Sequence, residues 1–154
     1  MENLANKDQF LVGKQIVVAL SGGIDSVVLL DFLNKQHRGN VRAIHINHNL
    51  SKSSKEWSQF CEDLCNKNNI RFKSFNIYID KSANLEESAR KKRYLALTSE
   101  LKKDEILCTA HHQDDQAETF LLQLFRGSGV AGLAAISQNK NLSDSELYRP
   151  FLNL

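Results

Sequence analysis

No stretch of this sequence stays apolar for the length a bilayer requires, and Met1-Glu2-Asn3 begins no secretory signal. A membrane-spanning helix and an exported protein are therefore both set aside. Cysteine is scarce: three residues, an odd number, with no Cys-x-x-Cys pair. A disulfide framework is excluded and a reducing cytoplasm is the expected setting. An excess of either charge is missing too. Twenty basic residues face 18 acidic ones, for a formal charge of +2, so any nucleic-acid footprint must be local. Proline occurs once, as Pro150, and no repeat, linker or low-complexity stretch divides the chain. With 154 residues, 42% of them hydrophobic, one domain with a real core is expected over residues 1–154. The chain stops soon after Pro150, in Phe151-Leu152-Asn153-Leu154, without a polar tail. That stop reads as a fragment of something longer.

What is present centres on Ser21-Gly22-Gly23-Ile24-Asp25-Ser26. Before it, Gln15 to Leu20 is short, apolar and β-branched, and predicts a buried strand; after it, Val27 to Leu33 predicts a mostly buried helix. The adjacent glycines allow a sharp turn and close approach of a ligand to the backbone. Free N–H groups and the positive end of the helix dipole then converge on one point. Ser21 and Ser26 add hydroxyls, and Asp25 adds a carboxylate suited to Mg²⁺. These parts suit a pyrophosphate with its metal. No Lys-Ser or Lys-Thr follows the last glycine, so the loop is not the mononucleotide P-loop.

Further along, Gly39-Asn40 signals a turn and Val41 to Asn47 a second strand, ending at His48-Asn49-Leu50. Ser53 and Glu56 are spaced as a capping box for a helix whose buried stripe is Trp57, Phe60, Cys61, Leu64 and Cys65. Phe75, Ile77 and Ile79 alternate as a third strand should. Asn84 and Glu87 form a second capping box, opening a helix to about Lys103. Positions 90, 94, 97 and 101 share its face; Tyr94, Leu97 and Leu101 are expected in the core. Arg90 continues that stripe toward the strand ends and is expected to reach a crevice there, with Arg93 one turn on and Lys91 and Lys92 solvated.

Ile106 to Ala110 predicts a fourth strand, running into His111-His112-Gln113-Asp114-Asp115-Gln116-Ala117-Glu118-Thr119 and a helix. Glu118 shares a face with Asp114 or with Asp115. The acids are either helix-start residues on the dipole or a polar cluster at a strand's carboxyl end. Regular alternation of strand and helix predicts an α/β fold, a parallel sheet with helices on both faces, whose ligands sit beyond the strands' carboxyl ends. Gly127-Ser128-Gly129-Val130-Ala131-Gly132 matches the dinucleotide fingerprint, but it follows a helical run, and Gln138 to Glu146 reads as polar loop with no second strand. A dehydrogenase is set aside on that ground.

Ser-Gly-Gly-x-Asp-Ser resembles the PP-loop of enzymes that split ATP between its α and β phosphates. Five stretches together are similar to the tRNA(Ile)-lysidine synthases: Ser21 to Ser26, His45 to Leu50, Ala89-Arg90 with Arg93-Tyr94, His111 to Thr119, and Arg126-Gly127 on to Gly132-Leu133. Arg149-Pro150 resembles a sixth. Asn49 departs from the glycine usual there, and the 154 residues are expected to be a fragment lacking the tRNA-binding domains usual after the catalytic one. The lack of Cys-x-x-Cys argues against the sulfur-inserting branch.

The resemblance implies a Rossmann-like, adenine-nucleotide α-hydrolase fold and a ligase that joins free L-lysine to the first anticodon cytidine of a minor isoleucine tRNA. ATP and Mg²⁺ are the implied cofactors; a homodimer is one available assembly, and no membrane is involved. Ser21, Gly22, Gly23, Ile24, Asp25 and Ser26 would hold the nucleotide, Asp25 its metal, and backbone near Ile46 the adenine. Asp25, Arg90, Asp115 and Glu118 are the implied catalytic set. Arg90, Arg93, His111, His112, Asp114, Asp115, Glu118, Arg126 and Gly127 are the implied substrate contacts. A nucleotide-binding module without catalysis, or another PP-loop ligase, is the alternative.

Overall fold

The computed structural model describes residues 6–47, 53–77, 85–129, 133–142 and 145–154. A 3₁₀ turn, Asn6–Leu11, leads into β1 (Gln15–Ala19), α1 (Ile24–Gln36), β2 (Val41–Asn47), α2 (Ser54–Lys67) and β3 (Arg71–Asn76). There follow α3 (Leu85–Ser99), β4 (Glu105–Cys108), α4 (Gln113–Phe125), β5 (Asn139–Leu142) and β6 (Ser145–Tyr148). The six strands form one sheet in the order β3-β2-β1-β4-β6-β5. All neighbours are parallel except β5, which runs antiparallel to β6 at the edge.

Period-two alternation in β1 sends its side chains to two cores. Ile16 and Val18 face a cluster with Leu29, Leu30 and Leu33 of α1 and Cys61 and Cys65 of α2. Val17 faces the other way, toward Ile44, Leu107, Leu147 and Leu97 of α3. Helices thus cover both faces, as the sequence predicts. Cys61 and Cys65 are fully buried, and burial pushes their thiols up to about 11 and about 12, so neither is a reactive thiolate at neutral pH. At the opposite edge from the strands' carboxyl ends, Arg42 and Glu105 form a buried two-pronged pair (2.8 and 2.7 Å). Burial alone would raise the Glu105 carboxyl, but hydrogen bonds from Arg42 and the Lys102 N–H bring it below its usual range.

Several sequence expectations need correction. Where polar loop was expected, Asn139–Leu142 is β5 and Ser145 begins β6, a strand because it pairs with β4 through Ile106↔Glu146, Leu107↔Leu147 and Cys108↔Tyr148. The third strand begins at Arg71, earlier than expected, and its register against β2 ends at Asn47↔Asn76. Ile79 lies outside the described residues. Ser53 precedes α2 without capping it, because its backbone (φ −84°, ψ 3°) is not the extended one that lets a hydroxyl reach back. Trp57 and Phe60 are about half exposed (49% and 45%) and stack edge-on at 6.2 Å, rather than lying in the core. Helix α3 stops at Ser99, where the N–H of Leu101 turns back to Thr98 O and Arg42 takes Glu100 O. The Asn84–Glu87 capping box falls outside the described side chains.

Candidate functional site

Strand β1 is followed by a connection to β2 on one side, while β4 lies on the other, so strand order reverses between β1 and β4. Crevices beyond the strands' carboxyl ends form at such a point. A cavity of about 480 Å³ opens there, lined from β1 and its loop by Leu20, Ser21, Gly23, Asp25 and Ser26. Ile44 to Asn47 of β2, Trp57 of α2, and Arg93, Tyr94 and Leu97 of α3 add further walls. Thr109, Ala110, His111, His112 and Asp115 close it from the β4 side. Its volume is within the range that takes a small ligand or cofactor.

The glycine loop is built as the sequence suggests. Gly22 sits at φ +90°, and a Cβ there would lie 3.0 Å from Trp57 Cε3 and 3.2 Å from Cys61 Sγ. Both the backbone and the neighbours therefore demand glycine. Gly23 is the N-cap of α1 and offers no side chain to its first N–H groups, which leaves that turn able to bind an anion. Ser26 donates to Gly23 O (2.8 Å), Ser21 Oγ donates to Ser26 Oγ (3.0 Å), and Gly23 N–H donates to Ser21 Oγ (3.3 Å). Ser26 is buried; Ile24 and Asp25 are exposed, with only the second lining the crevice.

Across the crevice, α4 opens with a reciprocal capping box. His112 Nδ1 accepts from the Asp114 N–H (3.3 Å), and Asp115 Oδ2 accepts from the His112 N–H (2.8 Å). A ring nitrogen that accepts carries no proton, so His112 Nε2 carries it. That nitrogen lies 3.7 Å from Asp115 Oδ2 and 3.9 Å from Asp25 Oδ2. The glycine-loop acid and the histidine of the second motif thus meet across the reversal point. Asp115 satisfies both sequence alternatives: it caps the helix and lines the crevice.

His111 Nδ1 is 2.9 Å from Thr109 Oγ1. Burial pushes its pKa down to about 4, helped by Arg149, Arg90 and Arg93 and opposed by Asp115. The imidazole is uncharged at neutral pH. An unfolded chain would bind that proton more readily, so the fold loses stability as pH falls from about 6.5 to about 4.

His45, buried, donates from Nδ1 to Leu20 O (2.8 Å) and ties β2 to the root of the glycine loop. Asn47 holds the start of α2 by donating to Ser54 O and Ser58 Oγ (3.3 Å each). His48, Asn49 and Leu50 lie outside the described residues.

Not every expected residue comes to the crevice. Ile46 and Arg93 line it; Arg90 is exposed, packs over the Tyr94 ring at 5.9 Å, and stands outside the lining while still acting on His111. Asp114 and Glu118 are exposed on α4 and do not line it. Arg126 and Gly127 follow the far end of this 13-residue helix, about 18 Å from its start. Gly127, at φ +66°, ends the helix: Ser128 N–H closes the turn on Gln123 O. Of the dinucleotide-like run, residues 130–132 lie outside the described ones, and the described part follows a helix instead of a strand. Trp57 and Thr109 were missed: tryptophan at core spacing reads as core, and a lone threonine after a strand carries no signal.

Comparison with known proteins gives the family. The chain is 46% identical over 153 residues to the tRNA(Ile)-lysidine synthase of Wigglesworthia glossinidia brevipalpis, covering 91% of this chain and 38% of that one. It is 48% identical over 141 residues to the tRNA(Ile)-lysidine synthase of Legionella pneumophila strain Paris, covering 90% of this chain and 33% of that one. The chain thus spans roughly a third of the length of these curated relatives. Among solved structures, the U34-tRNA thiolase of Methanococcus maripaludis superposes with a TM-score of 0.69 at 18% identity, over 99% of this chain and 58% of that one, a likeness of fold alone. Among the described residues no helix is long and apolar enough to cross a membrane. The family model for the PP-loop domain matches residues 1–154, and the chain belongs to that family.

Proposed function

We propose that this chain carries the ATP-dependent chemistry of lysidine formation on tRNA, with Mg·ATP in the crevice between the glycine loop and the start of α4. The observation that carries the reading is the meeting of Asp25 and His112 at 3.9 Å, which joins the pyrophosphate loop to the His111–Thr119 stretch in one site. The Asp25 carboxylate fits Mg²⁺, which takes one or two carboxylates together with phosphate oxygens and water. When bound, that ion would offset charge building on the departing pyrophosphate.

The cytosine 2-carbonyl oxygen is a poor leaving group. Its attack on the α-phosphorus of ATP forms an O–P bond and breaks the α–β bridge, releasing pyrophosphate. The ε-amine of lysine then attacks the activated carbon, AMP leaves, and the nitrogen loses a proton. Free amine is scarce at neutral pH, where the ordinary pKa is about 10.4, so a carboxylate near the amine helps. Residues Ser21 to Ser26 surround the pyrophosphate, Arg93 on the crevice wall faces developing phosphate charge from α3, and Arg90 adds its charge from outside the lining. Asp115, on the crevice wall, accepts from the cytosine amine or holds the lysine ammonium, and Glu118, outside the crevice on α4, reaches only substrate that extends beyond it. Backbone near Ile46 reads adenine. The partners in this reading are tRNA, free lysine and ATP.

Labelled lysine supplied with ATP, Mg²⁺ and tRNA in large excess is expected to enter isoleucine tRNA at the anticodon cytidine. The excess matters because a formal charge of +2 gives little general attraction to phosphate. ATP bound with no label in tRNA would favour a nucleotide-binding module instead.

A further inference from the structure

Helix α4 brings His112 and Asp115 to the crevice, yet none of its described side chains is fully buried. Polar contacts take over from packing. Gln116 pairs with the backbone of Ile136 in both directions, its Nε2 donating to Ile136 O and its Oε1 accepting from Ile136 N–H, each at 2.7 Å. Ser137 O accepts from Arg149 Nη1 (2.5 Å), and Gln138 O accepts from Arg149 N–H (3.0 Å). Arg149 directly follows β6, whose Tyr148 O accepts from Thr109 N–H (3.1 Å) at the end of β4. The contacts close a ring from β4 to β6, to residues 136–138, to α4, and back through His112.

Arg149 is only 4% exposed, and its Nε has no hydrogen-bond partner among the described residues. A buried guanidinium with a spare donor is costly unless its charge is used. The groups acting on His111 are Arg149 at the end of β6, Arg90 and Arg93 of α3, and Asp115 of α4: three cations against one carboxylate.

We propose that Arg149 is a positioning residue for the crevice: it pegs the end of β6 to the segment that holds α4, and sets its guanidinium within electrostatic reach of His111. The peg fixes where His112 and Asp115 stand relative to Asp25. Burial holds His111 uncharged, and the Arg149 charge reinforces it, leaving a hydrogen-bonding group at the crevice wall. This deepens the adenylation reading and rests on it only for the ATP arm of the test.

Three variants separate the two roles. Arg149→Gln removes the charge, Arg149→Lys keeps it, and Gln116→Ala opens the ring from α4 without changing any charge. The whole chain is followed by imidazole NMR for His111, by amide exchange, and by Mg·ATP titration. Arg149→Gln is expected to move the His111 midpoint measurably up from about 4 but short of 6.5, because burial remains, with Arg149→Lys close to wild type. Gln116→Ala leaves that midpoint in place but speeds exchange at Ile136 and in the first turn of α4 on the order of tenfold. Mg·ATP affinity is expected to fall several-fold in Arg149→Gln and Gln116→Ala, because His112 and Asp115 then shift relative to Asp25 across the crevice. An unmoved midpoint in a folded Arg149→Gln protein overturns the proposal. Should that variant not fold, unchanged exchange at Ile136 in Gln116→Ala overturns it alone. Wild-type chain that fails to bind Mg·ATP sinks the functional reading and leaves the imidazole NMR and amide-exchange arms intact.

Discussion

Asp25→Ala is expected to lower ATP cleavage on the order of a thousandfold or more while the protein stays folded. The side chain is 58% exposed, lines the crevice, and sits in the first turn of α1, where the dipole already favours negative charge. Its loss costs the helix only about 0.3–1 kcal/mol. The cleavage step loses far more, because no other carboxylate of the loop can meet a metal on the pyrophosphate. Asp25→Asn is expected to fail almost as badly, since it keeps the shape and removes the charge. Pyrophosphate release measured across a Mg²⁺ series checks this. Either variant within about tenfold of wild type at ordinary Mg²⁺ would remove Asp25 from the metal role.

The second large effect is expected at Gly22. Valine there must hold φ near +90° and place carbon 3.0 Å from Trp57 and 3.2 Å from the sulfur of Cys61. Cys61 is fully buried and cannot retreat, so the loop must move. Backbone strain and overpacking together amount to about 2–5 kcal/mol, enough to weaken Mg·ATP binding on the order of a hundredfold. Gly23→Ala is the control, because a Cβ there meets only Ser21 Oγ at an ordinary 3.5 Å; it is expected to leave folding stability nearly unchanged. Adding Trp57→Ala to Gly22→Ala should recover part of the loss, by relieving the contact but not the backbone. Calorimetric titration with Mg·ATP and thermal melts compare the set. Equal damage to folding at Gly22 and Gly23 would mean that neither the Gly22 backbone nor its contacts with Trp57 and Cys61 set the cost.

Much of this site is legible in the sequence because its parts are local. A β-branched run, two glycines and a helix specify the loop within a dozen residues, and His112 with Asp115 specifies its own helix start three residues apart. What was illegible depends on partners distant in the chain. Asn139-Lys140-Asn141-Leu142 has no strand pattern of its own; it pairs with β6, whose only fully buried positions, Leu147 and Tyr148, are held by β4. Trp57 and Phe60 carry the spacing of a core stripe, but α2 turns Cys61 and Cys65 inward and leaves Trp57 under Gly22 at the crevice. Periodicity reports that a face is apolar, not whether protein or ligand covers it. Arg149 shows the same limit from the polar side: an arginine beside the chain's only proline gives no hint that its guanidinium is buried.

The central claim is that the glycine loop holds a leaving pyrophosphate, and the products of ATP cleavage test it most directly. Chromatography of the nucleotide after incubation with Mg²⁺, tRNA and lysine should show AMP, with pyrophosphate in equal amount. ADP with inorganic phosphate as the sole products would contradict it, because the bond broken would then be the β–γ bridge that this loop does not serve.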